Sequence, residues 1–139
     1  YHSESVLWLN GDVVFDKRIF DLLIPFINKN ESFVSVNNEE VAEEEVKYTL
    51  DSDGFIKEIS KTVQDGLGEA VGINFISSKD INFFIKRLEE CNDNDYFERG
   101  IELAIQKDHI KVNAVDISKY NCMEVDFMED LENVNKMFK

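Results

Sequence analysis

At 139 residues, 43% of them hydrophobic and eleven of them Phe, the chain has the length of one domain and enough apolar side chains to bury a core, which argues against disorder. A formal net charge of -14 argues against a nucleic-acid backbone or an anionic membrane as main partner, since either would be repelled; a nucleotide stays open, because a few lysines and Mg2+ can reverse the local field. No apolar run reaches membrane-spanning length and no signal peptide is seen; Cys91 and Cys122 form neither a CxxC pair nor a zinc spacing, which reads as reduced thiols in a cytoplasmic protein.

The first apolar run, Val6 to Leu9, has no polar face and predicts a strand buried on both sides of a sheet. It ends in Asn10-Gly11-Asp12. Gly11 would let the backbone approach a ligand, and Asp12 would offer oxygen to a hard cation at the strand end where α/β sheets bind ligands. A plain turn is the other reading of the same three residues. Residues 16–29 carry Ile19, Phe20, Leu22, Leu23, Phe26 and Ile27 at helical spacing, with Asp16 as N-cap and a kink or a late turn at Pro25. Residues 32–36 alternate as a strand, and 37–45, with five glutamates, read as a solvated loop.

Two alternating runs, 46–50 and 55–59, flank Asp51-Ser52-Asp53-Gly54 and predict a hairpin. The same tetrapeptide does not make an EF-hand, since Thr49 and Ser60 would fall at ligand positions that need carboxylates. Residues 69–76 read as a buried strand, followed by a helix capped by Ser77 or Ser78 and a second helix over about 95–107. Strands over 110–115 and 122–127 and a last helix over about 128–137 complete the pattern. The class is α/β, one domain, with a mixed, mostly parallel sheet flanked by helices and one β-hairpin.

The order of the short motifs carries more than any one of them. Asn10-Gly11-Asp12, then Lys61, then Gly68-Glu69-Ala70-Val71-Gly72-Ile73, then Glu124-Val125-Asp126 resemble the second half of a nucleotidyltransferase of the sugar-1-phosphate and choline-phosphate cytidylyltransferase type. The resemblance runs over essentially the whole chain and implies a partial Rossmann-like fold. It implies a reaction between a nucleoside triphosphate, with CTP expected, and a small phosphate or phosphonate monoester, releasing pyrophosphate. The Mg2+ ligands would fall on Asp12 and Asp126, and Lys61 would contact the acceptor phosphate. Two carboxylates from two strand ends suit a reaction between two anions, where catalysis is positioning and charge neutralisation.

Ser60-Lys61-Thr62 stands where many sugar-nucleotide relatives have Glu-Lys-Pro, which turns the expectation from a sugar phosphate toward an amine phosphate such as phosphocholine. Asn10, Gly11 and Glu69 would then bind substrate, while Asp95, Tyr96 and Glu124 would offer the carboxylates and the aromatic face that an ammonium group needs. The plainer reading of Lys61 is a solvated surface lysine, of Tyr96 and Phe97 the start of an amphipathic helix, and of Trp8 a core residue. The glycine-rich nucleotide loop of such enzymes has no counterpart among the six glycines. The expectation is therefore a C-terminal portion of the catalytic domain, with no catalysis expected from these residues alone; a homodimer stays open. A non-catalytic acidic α/β module that binds a basic protein is the alternative.

Overall fold

The computed structural model describes residues 4–9, 13–39, 45–91, 97–120 and 122–124, the last group and 13–15 by backbone alone. Within them the order is β1 (Val6–Leu9), β2 (Val13–Phe15), α1 (Ile19–Asn28), β3 (Phe33–Asn37), β4 (Lys47–Leu50), β5 (Ile56–Ser60), β6 (Gly68–Ile76), α2 (Ile81–Glu90), α3 (Phe97–Asp108), β7 (Asn113–Asp116) and β8 (Cys122–Glu124). The main sheet runs β5-β4-β6-β3-β7, with β1 added to β6; β2 and β8 pair separately.

The α/β class and the mixed sheet are as expected, but among the described residues most pairings are antiparallel. Only β3 and β7 are parallel; β1–β6, β3–β6, β4–β5 and β4–β6 are all antiparallel. The reason is connectivity. The β4–β5 hairpin is a short reversal, and β6, antiparallel to β3, brings the chain back to the end where β3 starts; after α2 and α3 the chain enters β7 from that same end, parallel to β3.

Side-chain alternation in β3 divides the core. Val34 and Val36 face a cluster with Ile59, Ile76, Phe84, Ile101 and Ala104, under α2 and α3; Phe33 faces Ile19, Leu23, Ile73 and Phe75, under α1. Phe33 stacks on Phe75 at 5.6 Å. The layers are α1, sheet, then α2 with α3. Among the described residues no helix is long and apolar enough to cross a membrane.

The hairpin forms as its sequence predicts. Gly54 sits at φ +86°, and Asp51 Oδ1 accepts the N–H groups of Asp53 and Phe55 at 2.8 and 3.0 Å, so that carboxylate organises a turn. Three local expectations are corrected. β1 is not buried on both faces: Val6, Leu7, Trp8 and Leu9 are 39–45% exposed, and among the described residues the strand pairs only with β6. Asp16 precedes α1 rather than capping it. Its carboxylate accepts the Arg18 N–H at 2.9 Å and grips the Arg18 guanidinium, which holds it down to about 2, while Arg18 occupies the cap. Asp80, not Ser77 or Ser78, is the N-cap of α2, and Ser77 Oγ donates to it at 3.1 Å. α1 continues through Pro25.

Candidate active site

Cross-strand register sets one row of polar residues across the end of the sheet. Ser60 of β5 is opposite Lys47 of β4, Lys47 is opposite Glu69 of β6, and Glu69 is opposite Asn37 of β3. β3, β5 and β7 end here, and β1, antiparallel to β6, runs toward the same end. Between Val34 and Val36 the β3–β6 register slips; Gly72, at φ +86°, takes up the extra residues as a bulge that only glycine accommodates easily.

Lys61 is the first residue after β5. Its carbonyl accepts a hydrogen bond from the buried Lys47 Nζ at 2.8 Å. On either side, Ser60 Oγ lies 3.0 Å from Thr62 Oγ1 and accepts the Thr62 N–H at 3.2 Å. The Ser-Lys-Thr sequence thus makes its own hydroxyl-stabilised turn, with the Lys61 side chain exposed. Glu69 is half-buried between Lys47 and Asn37.

A second network ties β4, β3 and β7 together beside that row. The Tyr48 hydroxyl donates to Asn38 Oδ1, and Asp116 accepts from Asn38 and from the Ser118 N–H and hydroxyl at 3.0 and 2.6 Å. Desolvation works against the Asp116 charge, but these hydrogen bonds outweigh it and hold the carboxyl below its ordinary range. Burial pushes the Tyr48 phenol up.

On the α3 side, Glu98 is buried at 6% exposure, and burial raises its carboxyl above the usual glutamate range. Asn74, in the middle of β6, is fully buried with neither amide atom in hydrogen-bonding geometry. Trp8, directly opposite Asn74, stacks on Phe97 at 4.4 Å, so it is a half-exposed ring against α3 rather than core.

Of the residues singled out in the sequence, Lys61 and Glu69 come to this one end of the sheet. Glu124 ends β8, with its backbone opposite Val13. Asn10, Gly11, Asp12, Asp95, Tyr96 and Asp126 lie outside the described residues. Among the described residues no group of three or more His, Cys, Asp or Glu side chains could hold a metal ion. Sequence reasoning passed over Lys47, Asn38, Asp116, Asn74 and Glu98. Only Glu98 left a signal: with Glu102 it places carboxylates on the same helical face as apolar Ile101 and Ile105, where solvated charges are not expected. A cavity of about 410 Å3, lined by Ser32, Phe55, Phe83, His109 and Lys111 among others, opens at the start of β3 and holds none of the expected residues.

No protein-family profile matches the chain, and no curated protein sequence matches it. Solved structures do. The inositol-1-phosphate CTP transferase from T. maritima superposes at a TM-score of 0.68 with 17% identity, over 99% of this chain and 56% of that one. HddC from Yersinia pseudotuberculosis gives 0.61 with 15% identity, over 99% and 57%. The nucleoside-diphosphate-sugar pyrophosphorylase from Vibrio cholerae gives 0.71 with 9% identity, over 98% and 57%. The chain spans little more than half the length of these structures, and over that span it has their fold.

Proposed function

We propose that this chain is the acceptor- and metal-binding part of a nucleotidyltransferase catalytic domain. It moves a nucleotidyl group, CMP, from a nucleoside triphosphate to a small phosphate or phosphonate monoester such as phosphocholine. An acceptor oxygen attacks the α-phosphorus, the bond to the β-phosphate oxygen breaks, and pyrophosphate leaves. The observation that carries the reading is Lys61 on a turn anchored by Lys47, the residue opposite Glu69, at the sheet end toward which β1 runs. An exposed ammonium on a fixed turn suits an acceptor phosphate, whose positioning is most of what such a reaction asks of a protein. A CTP reaction is named for the T. maritima protein, and HddC has been crystallised with GMP-PN.

Asp12 and Asp126 would hold Mg2+, since carboxylate oxygens match a hard cation. The β2–β8 pairing supports their use together: Val13, next to Asp12 in sequence, is opposite Glu124, two residues before Asp126. Mg2+ would supply charge neutralisation between the two phosphates. Asn10, Gly11, Asp95, Tyr96 and Glu124 remain the residues proposed for substrate binding. The test is pyrophosphate release from CTP and phosphocholine by a reading frame that supplies a glycine-rich loop ahead of this chain. Asp126→Ala or Asp12→Ala is expected to lower the rate at least about a hundredfold. A variant of either that turns over normally would refute the metal assignment.

A further inference from the structure

Glu98 has no part in the function proposed above, yet a carboxylate buried in the first turn of α3 calls for a charge to serve. Glu102, one turn along the same face, accepts the Ile59 N–H at 3.3 Å; Ile105 and Gln106, one turn further, share a cavity with Ile56 and Lys57 at the start of β5, while Arg99 shares one with Ser60 and Thr62 at its end. α3 therefore runs antiparallel along β5, and its first turn reaches the end of β5 where Lys61 stands. Across from it, the unpaired Asn74 amide lies near the Glu98 carboxylate, and the Trp8–Phe97 stack closes that side with apolar rings. Arg99, the next residue on the helix, is committed to Glu102.

We propose that Glu98 is a positioning residue: its carboxylate, buried beside Asn74, orients the Lys61 side chain so that the ammonium meets the acceptor phosphate. The inference rests on the phosphate contact assigned to Lys61 above. Its electrostatics agree: burial raises the Glu98 carboxyl, while its own N–H and the Lys61 charge pull it back.

Carboxyl NMR titration of Glu98 in the intact chain reads the coupling without any activity. Lys61→Met is expected to move the Glu98 midpoint upward; an unmoved midpoint overturns the proposal. Calorimetric binding of inorganic phosphate and of phosphocholine reads the consequence. Glu98→Gln is expected to weaken both by a similar factor, about five- to tenfold, the scale of one charge-assisted contact, with Glu98→Asp recovering part of the loss. Weakening for phosphocholine alone would mean that Glu98 meets the ammonium of the ligand, and would overturn the proposal, as would unchanged binding of both. If Lys61→Met binds phosphate normally, the phosphate contact itself is wrong. If Lys61→Met loses binding and Glu98→Gln keeps it, only the role of Glu98 falls.

Discussion

Replacing Gly68 by alanine tests whether the polar row depends on the close approach of β6 to β3. A Cβ built at Gly68 would overlap Asn38 Oδ1 and would lie 2.6 Å from the Asn37 carbonyl oxygen and 2.9 Å from Asn38 Cα. Two of those three atoms are backbone, so no rotamer change relieves the clash, and β6 has to move away from the end of β3. Such overpacking costs about 1–3 kcal/mol. The shift also pulls Asn38 from the buried Tyr48 hydroxyl, and an unsatisfied hydroxyl adds about 1–2 kcal/mol. The sum is about 2–5 kcal/mol. With unfolding entropy near 2.1 cal/mol/K per residue, 139 residues give about 0.3 kcal/mol/K, so a mid-range loss of about 3 kcal/mol lowers the melting temperature by about 10 °C. A circular-dichroism melt measures it. A variant melting within about 2 °C of the parent would refute the reasoning. The double variant Gly68→Ala, Asn38→Ala sharpens it: the Asn37 carbonyl remains in the way, so at most part of the stability returns. Full recovery would place the whole conflict in one flexible side chain.

Gly54 offers the opposite case, φ +86° with nothing within 4 Å of a Cβ. Gly54→Ala is expected to cost only the left-handed strain, about 1–2 kcal/mol, and Gly54→Asn less, both read by guanidinium unfolding. Ile101→Ala empties a fully buried position between the sheet and α2, and should lower stability by about 2–5 kcal/mol by the same measurement. Asp108 holds Arg87 through two bonds, at 2.8 and 2.7 Å, tying the end of α3 to α2. The Arg87 hydrogen bond depresses the Asp108 carboxyl, so the native state binds fewer protons than the unfolded one. That contribution is full above the ordinary aspartate value, about 3.9, and is lost as pH falls through the lower native one. Asp108→Asn should therefore melt below the parent at pH 7, with the gap closing in acid below about pH 4; a gap constant with pH would refute the ionic origin.

What could be read from residues alone was local. Period-2 alternation placed β3, β4 and β5, Asp-Gly placed the hairpin, and helical spacing placed α1, α2 and the body of α3, because each is decided by neighbours in sequence. The motif order also pointed to Lys61 and Glu69. Their meeting at one end of the sheet was not legible there, since it depends on β6 pairing with both β4 and β3, between residues twenty or more apart in sequence. The same holds for β1, whose apolar composition matches a central strand while its pairing leaves it exposed: hydrophobicity says what a strand can bury, and only its neighbours say what it does bury. Lys47, Asn38 and Asp116 look like ordinary surface residues in the sequence, and Glu98 stands out there only by its place on an apolar helical face. Tertiary packing turns them into a hydrogen-bonded frame and a buried carboxylate, because desolvation and partner distance are properties of the folded chain and have no counterpart along it.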